Sequence, residues 1–228
     1  MKVCNDTLMI LKNFSGINSN FVVKPGNVIR TITGTKNIYA EATIAESFDK
    51  ECSVFDLNKF LATISLFKEP EFKFDDKFVT IAGSGSSSVK YFYSDPSLVR
   101  KFVDDLPKTI NAPTADFEFT LTAKDFQEIS KAASVLQVND LTIETIGGFV
   151  FLTLHDKKDA SSNTYQIKVG ENTGKLNFRM HYKMDNLKLV TGDYRVRISK
   201  KKVSEFIHSK LTLKYWVAME HDSTWESK

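Results

Sequence analysis

From Asp104 to Ala115 the chain reads DDLPKTINAPTA, a polar stretch with Pro107 and Pro113 and with neither helical nor strand periodicity. Proline fixes φ and steers the residue before it out of the helical region, so this segment predicts an extended connector. On each side the same coarse order of elements follows: a short helix, several strands, a second short helix, then further strands. The chain therefore divides into a domain of residues 1–103, a connector of 104–115 and a domain of 116–228.

In the first half, Asp6 is placed to cap a helix running to about Asn18, with Leu8, Ile10, Leu11, Phe14 and Ile17 as its apolar stripe. Strands follow at Phe21–Lys24, Val28–Thr33, Ile38–Ile44 and Cys52–Phe55. Asp56 opens a second helix, where Leu57, Phe60, Leu61 and Ile64 fall at i, i+3, i+4 and i+7. Three strands close the half, at Glu71–Asp75, Phe78–Ala82 and Val89–Tyr93.

The second half opens on a strand at Asp116–Leu121. Thr122 caps the next helix, with Asp125 three residues on and Phe126, Ile129, Ala133 and Leu136 as the buried stripe. Leu141–Ile146 and Phe149–His155 flank Gly147-Gly148, a strong hairpin signal. Further strands are expected at Thr164–Val169, Leu176–Tyr182, Tyr194–Ile198, Val203–Ile207 and Leu211–Glu220, with a short helix over Met184–Val190. One apolar stripe per helix and one apolar face per strand are both satisfied by helices covering one side of antiparallel sheets, an α+β class.

Eighteen Phe within 42% hydrophobic residues give each half the material for a core. The formal charge of +3 is spread evenly, with 14 basic and 13 acidic residues through Lys108 and 17 and 15 beyond it. That balance gives no concentrated polyanion-binding patch. Cys4 and Cys52 form no disulfide framework, and the N-terminus has no cleavable leader and no apolar run of membrane-spanning length, so a soluble intracellular protein is expected.

Catalytic signatures are missing from the sequence. His155, His181, His208 and His221 form no HExxH, neither cysteine has a close metal-ligating neighbour, and no GxSxG or dinucleotide fingerprint occurs. The glycine- and serine-rich run Gly83–Ser88 lacks the GxxxxGK[ST] phosphate cradle and reads as a turn. No cofactor or metal is expected. The solvated helix faces carry Lys12, Lys59, Lys68, Lys124, Lys131, Lys183 and Lys188. Such lysines are ordinary on any wet surface; as a functional set they suit loose, register-free contact with phosphates, because lysine is a flexible point charge.

Several stretches taken in order resemble the DNA polymerase sliding clamps of T4-like bacteriophages. They are Asp6-Thr7 with Leu11-Lys12-Asn13-Phe14, Tyr39-Ala40-Glu41-Ala42, Asp56-Leu57-Asn58 with Phe60-Leu61, Leu136-Gln137, Gly192-Asp193-Tyr194, and Val217-Ala218-Met219-Glu220 before Asp222-Ser223-Thr224. The resemblance spans the whole chain. It implies the DNA clamp fold: two similar domains per subunit, antiparallel sheets outside and helices lining a homotrimeric ring threaded by duplex DNA. It also implies tethering of the replicative DNA polymerase, opening by an ATP-driven clamp loader, support of phage late transcription through phage-modified host RNA polymerase, and residence in the cytoplasm of the infected bacterium.

By the same resemblance, Lys12, Lys59, Lys124, Lys131, Lys183 and Lys188 are candidates to face DNA, while Ser134 stands where relatives carry another basic residue. Val89, Tyr91 and Tyr93 of one subunit are candidates to meet Tyr165, Ile167 and Val169 of the next, and Val103, Leu106 and Ile110 are candidates for a partner pocket. The alternative is a protein-binding scaffold that keeps the clamp fold without encircling DNA.

Overall fold

The computed structural model describes residues 1–103, 114–159 and 161–226, with side chains for all of these except 100–103. Two compact units, Met1–Ile110 and Asn111–Lys228, are each described in their own right. Nearly all of the expected connector, residues 104–113, lies outside the described residues.

The first unit runs α1 (Asn5–Ile17), β1 (Phe21–Val23), β2 (Gly26–Ile32), β3 (Ile38–Phe48), β4 (Cys52–Val54), α2 (Leu57–Ile64), β5 (Glu71–Phe74), β6 (Phe78–Ala82), β7 (Ser88–Phe92) and α3 (Pro96–Val103). Within it β1 pairs with β4, β2 with β3, and β5, β6 and β7 form a meander, all antiparallel. The stripe expected on α1 buries Ile10, Leu11, Phe14 and Ile17. Beneath α2, Ile64, Phe72, Val79 and Ile81 form a second cluster, with Phe60, Leu61, Val89 and Tyr91 packed against it.

Asp6 does not cap α1. The N-cap is Cys4, whose amide donates to Glu46 Oε1 at 2.5 Å, and the Thr7 hydroxyl donates to Glu46 Oε2 at 2.5 Å. A strand thus supplies the carboxylate that a local cap would have provided. This is also why β3 continues past Ile44: Ile44, Glu46 and Phe48 are buried and alternate with exposed residues. At α2 the local cap is present, with Asp56 Oδ1 accepting from the Lys59 amide at 3.0 Å.

The second unit runs β8 (Phe117–Leu121), α4 (Ala123–Leu136), β9 (Asp140–Ile146), β10 (Phe149–His155), β11 (Tyr165–Glu171), β12 (Asn177–Lys183), β13 (Tyr194–Ser199), β14 (Val203–His208), β15 (Leu213–Ala218) and β16 (Thr224–Glu226). One sheet has the order β11-β10-β9-β12-β16, and the strands β15-β14-β13-β8 form a second antiparallel array. Their inner faces meet through Phe178, Tyr182, Tyr194, Phe206 and Tyr215, all buried. The Tyr182 hydroxyl bonds Ser204 at 2.6 Å, joining β12 to β14. Gly147 and Gly148 both have positive φ, 56° and 88°, as a two-residue hairpin turn requires.

The expected pair of helices per half is corrected in both units. Met184–Val190 forms only a 3-10 turn over Met184–Asn186. The amides of Met184 and Asp185 bond Asn139, at 2.8 and 3.0 Å, so they enter no α-helical ladder, while Leu187 and Val190 anchor the extended remainder in the core. Conversely α3 is an added helix. Asp95 Oδ1 accepts the Ser97 amide at 2.8 Å and Pro96 takes the first helical position, where its missing N–H costs nothing.

Candidate nucleic-acid and assembly surfaces

Helix periodicity presents four of the candidate lysines to solvent. Lys12 lies on the exposed face of α1 and Lys59 in the first turn of α2. Lys124 and Lys131, two turns apart on α4, share one exposed stripe with Gln127 and Ser134. The cap of α4 holds that stripe in place: the Asp125 amide donates to Thr122 Oγ1 at 3.1 Å and the Thr122 hydroxyl returns a bond to Asp125 at 2.6 Å.

The other two lysines occupy no α-helix. Lys188 is exposed on the segment after the 3-10 turn. Lys183 ends β12 and bonds the nearly buried carboxylate of Asp140. That bond raises the Lys183 pKa. Burial of Asp140 opposes its ionisation, but Lys183 and the Lys157 amide hold it below the usual carboxylate range. An ammonium engaged in this way has a structural partner before it meets any phosphate.

Each unit has open sheet edges, and one in each carries the candidate interface residues. Among the described strands, β7 pairs only with β6 and β11 only with β10. Val89, Tyr91 and Tyr93 turn inward rather than out from the edge, packing against the cluster under α2. The Tyr91 ring sits 4.9 Å from Phe60 and its hydroxyl donates to Asp56 O at 3.4 Å. Tyr165 and Ile167 are likewise half-buried, and the Tyr165 hydroxyl donates to Glu128 of α4. In both units a tyrosine on the edge strand is therefore tied to the helix that covers it.

The outward side chains, which sequence reading passed over, are Lys90 and Phe92 on β7 and Gln166 and Lys168 on β11. Phe92 is 65% exposed and lies 5.5 Å from Phe78. Lys90 sits over the Phe78 ring at 4.9 Å, and Lys168 over Phe149 at 3.4 Å. The alternation of each strand marks this outer set once the inner set is known.

Of the pocket candidates, Leu106 and Ile110 lie outside the described residues, and the side chain of Val103, at the end of α3, is not described. Among the described residues no group of three or more His, Cys, Asp or Glu is placed to hold a metal ion. No described helix is long and apolar enough to cross a membrane.

Two α+β units with antiparallel sheets and few helices make up the clamp fold. Superposition on solved structures agrees. The chain matches the A. fulgidus PCNA of the structure "C-terminal region of FEN-1 bound to A. fulgidus PCNA" with a TM-score of 0.68 at 14% identity, covering 97% of this chain and 96% of that one. Proliferating Cellular Nuclear Antigen from Entamoeba histolytica gives 0.64 at 13% identity, covering 93% and 94%.

Sequence comparison is more specific. Residues 5–97 match the family model described as DNA polymerase processivity factor, and residues 118–221 match gp45 sliding clamp, C terminal. The Sliding clamp of Vibrio phage KVP40 is 34% identical over 225 residues, covering 96% of this chain and 99% of that protein. That of Enterobacteria phage T4 is 30% identical over 230 residues, covering 98% and 99%. The chain belongs to the phage sliding clamp family of DNA polymerase processivity factors. Proteins of this family are processivity factors, not enzymes.

Proposed function

We propose that three copies of this chain join head to tail into a ring that encircles duplex DNA and tethers the replicative polymerase at the primer end. The observation that carries this reading is the pair of open sheet edges, β7 in one unit and β11 in the other. Unpaired edges expose backbone donors and acceptors, and two different edges on one chain give a heterologous contact that repeats and closes when its rotation permits. The two units are the clamp domains, 1–103 and 116–228, and residues 104–115 join them.

In the ring, Lys12, Lys59, Lys124 and Lys131 face the DNA, with Lys188 as a further contact and Lys183 a weaker one because Asp140 already holds it. Contacts of this kind bind backbone phosphate without reading bases, so no single register on the duplex is preferred and the ring translates. Escape is barred by enclosure, and a polymerase bound to the ring is held at high local concentration. Residues near Val103, Leu106 and Ile110 receive partner tails. By the family resemblance, an ATP-driven loader opens the ring, the ring contacts phage-modified host RNA polymerase during late transcription, and the site of action is the host cytoplasm.

The test is retention after loader-assisted assembly on circular and on linear DNA of equal length. Rapid loss from the linear form with retention on the circle is expected. Equal rates from both would leave a scaffold that adheres without enclosing.

A further inference from the structure

The open edges carry enough information to fix how two copies meet. The Tyr93 amide donates to Lys77 O at 3.0 Å, which makes Tyr93 and Lys77 a hydrogen-bonded pair. Such pairs alternate along an antiparallel ladder, so Tyr91 and Val89 also bond to β6, and the backbone groups of Lys90 and Phe92 are directed to the open side. On the other edge the Asn172 amide donates to Gly148 O at 2.8 Å. Val150, Leu152 and Leu154 of the unbulged strand β10 then bond to β11, and their partners there include Ile167 and Tyr165. The backbone groups of Gln166 and Lys168 are left facing outward.

Both edges therefore offer for pairing the residues whose side chains lie on the exposed face. Joined antiparallel, like the strand pairs within each unit, they put Val89, Tyr91, Tyr165 and Ile167 on the helix-covered face and Lys90, Phe92, Gln166 and Lys168 on the other. Three registers satisfy this parity. One sets Lys90 opposite Lys168, a like-charge pair that opposes association. A second sets Lys90 opposite Gln166, with Lys168 diagonal to it, and carries Phe92 beyond the first residue of β11, Tyr165. The third sets Phe92 opposite Lys168.

This third register agrees with the chemistry on both sides. Phe92 extends the Phe78 pair toward an ammonium already seated over Phe149, and the most exposed apolar side chain of the edge becomes covered. The ladder shifts between Val150 and Phe151, where Val169 is the extra residue on β11. The shift carries Glu171, which is exposed and lies opposite Phe149 on the outer face, to the level of Lys90. Opposite charges then meet where the first register would have brought like ones together.

Resting on the ring reading above, we infer that β7 of one copy pairs with β11 of the next with Phe92 opposite Lys168 and Lys90 beside Glu171. The interface thereby selects a single register through one aromatic–cation contact and one ion pair. The test is the dissociation constant per interface, measured by sedimentation of the full chain. Lys90→Glu is expected to weaken association about fivefold, and adding Glu171→Lys to restore it. Tighter association of Lys90→Glu, lost again on adding Lys168→Glu, would overturn this register in favour of the one that opposes Lys90 to Lys168. Weakening by Lys90→Glu that Glu171→Lys does not restore would overturn it outright. All these side chains are exposed, and matching thermal unfolding of the variants shows that each unit still folds. A wild-type chain that stays monomeric at every concentration would fail the ring reading itself, independently of the variants.

Discussion

Glu46 accepts the hydroxyl proton of Thr7 at 2.5 Å across 39 residues of sequence. Its second oxygen takes the Cys4 amide, so one carboxylate both closes the start of α1 and fastens it to β3. Burial alone would raise the Glu46 pKa, but the bonds from Thr7 and Cys4 outweigh it and the group lies below its ordinary value of 4.5. A carboxylate depressed in the folded state contributes stability that is complete above its unfolded pKa and disappears as pH falls through the folded one. Glu46→Gln is expected to cost about 1–3 kcal/mol at neutral pH, because an ionic acceptor is lost from two short bonds. The variant should also lose less stability on acidification below about pH 4.5 than the wild type. Urea unfolding across pH 3–7 measures both effects; parallel curves for the two proteins would contradict the assignment.

Gly192 leaves room for His208 and for nothing else. A Cβ at position 192 would stand 2.2 Å from His208 Nε2. The ring has little freedom to retreat, since Nδ1 accepts the amides of Lys210 and Leu211, both at 3.1 Å, and it meets the Tyr194 ring in a T-shaped contact with centroids 5.1 Å apart. With Nδ1 accepting, Nε2 carries the proton and points toward the Thr191 carbonyl. Gly192→Ala is expected to destabilise by about 1–3 kcal/mol, as overpacking does. Adding His208→Ala should recover part of this loss in a double-mutant cycle, the positive φ of 159° at Gly192 keeping the rest, and fully additive losses would argue against the clash.

What can be read from the sequence here divides by range. The caps at Asp56 and Thr122 and the Gly147-Gly148 turn are legible because each is complete within four residues. The Glu46 cap and the Asn139 contacts are not, because their partners converge only after folding. Asp95-Pro96 marks α3 in the sequence, but eight residues are too few for periodicity to confirm a helix. The edge strands are legible as strands, and their edge position becomes visible only from the sheet order. The resemblance points to the edge strands, but Val89, Tyr91 and Tyr93 are their inward set, whereas the exposed set includes Phe92 and two lysines.

His181 and His155 share the Thr142 hydroxyl, each ring nitrogen lying 2.8 Å from Oγ1. Burial holds the His181 pKa below its ordinary value of 6.5, and Lys157 adds to this while Asp222 opposes it. The unfolded chain then binds a proton more readily than the folded one, so stability is complete above about pH 6.5 and falls as pH drops toward the folded pKa. His181→Gln, which keeps a hydrogen-bonding side chain without titrating, should flatten this slope while changing stability little at pH 8. Thermal unfolding between pH 5 and 8 reads the difference; an unchanged slope would place the titration elsewhere.

Charge on the helix faces and charge within the sheet give separable losses. Lys12, Lys59, Lys124 and Lys131 are exposed on the helix faces, so replacing all four by Gln is expected to leave unfolding within about 0.5 kcal/mol of wild type. The same variant should reduce the salt dependence of DNA binding, by about 0.9 in the log–log slope for each phosphate contact removed. Lys183→Met reverses the pattern. It leaves Asp140 nearly buried without its ammonium, at a cost of about 1–3 kcal/mol once the partial exposure of Lys183 is allowed for. Its salt slope should stay close to that of the wild type. Measuring unfolding and salt-dependent DNA retention on both variants sorts the lysines by role. A fourfold variant with an unchanged slope would remove the helix faces from DNA contact, and a large slope change for Lys183→Met would make that lysine a principal contact rather than a weak one.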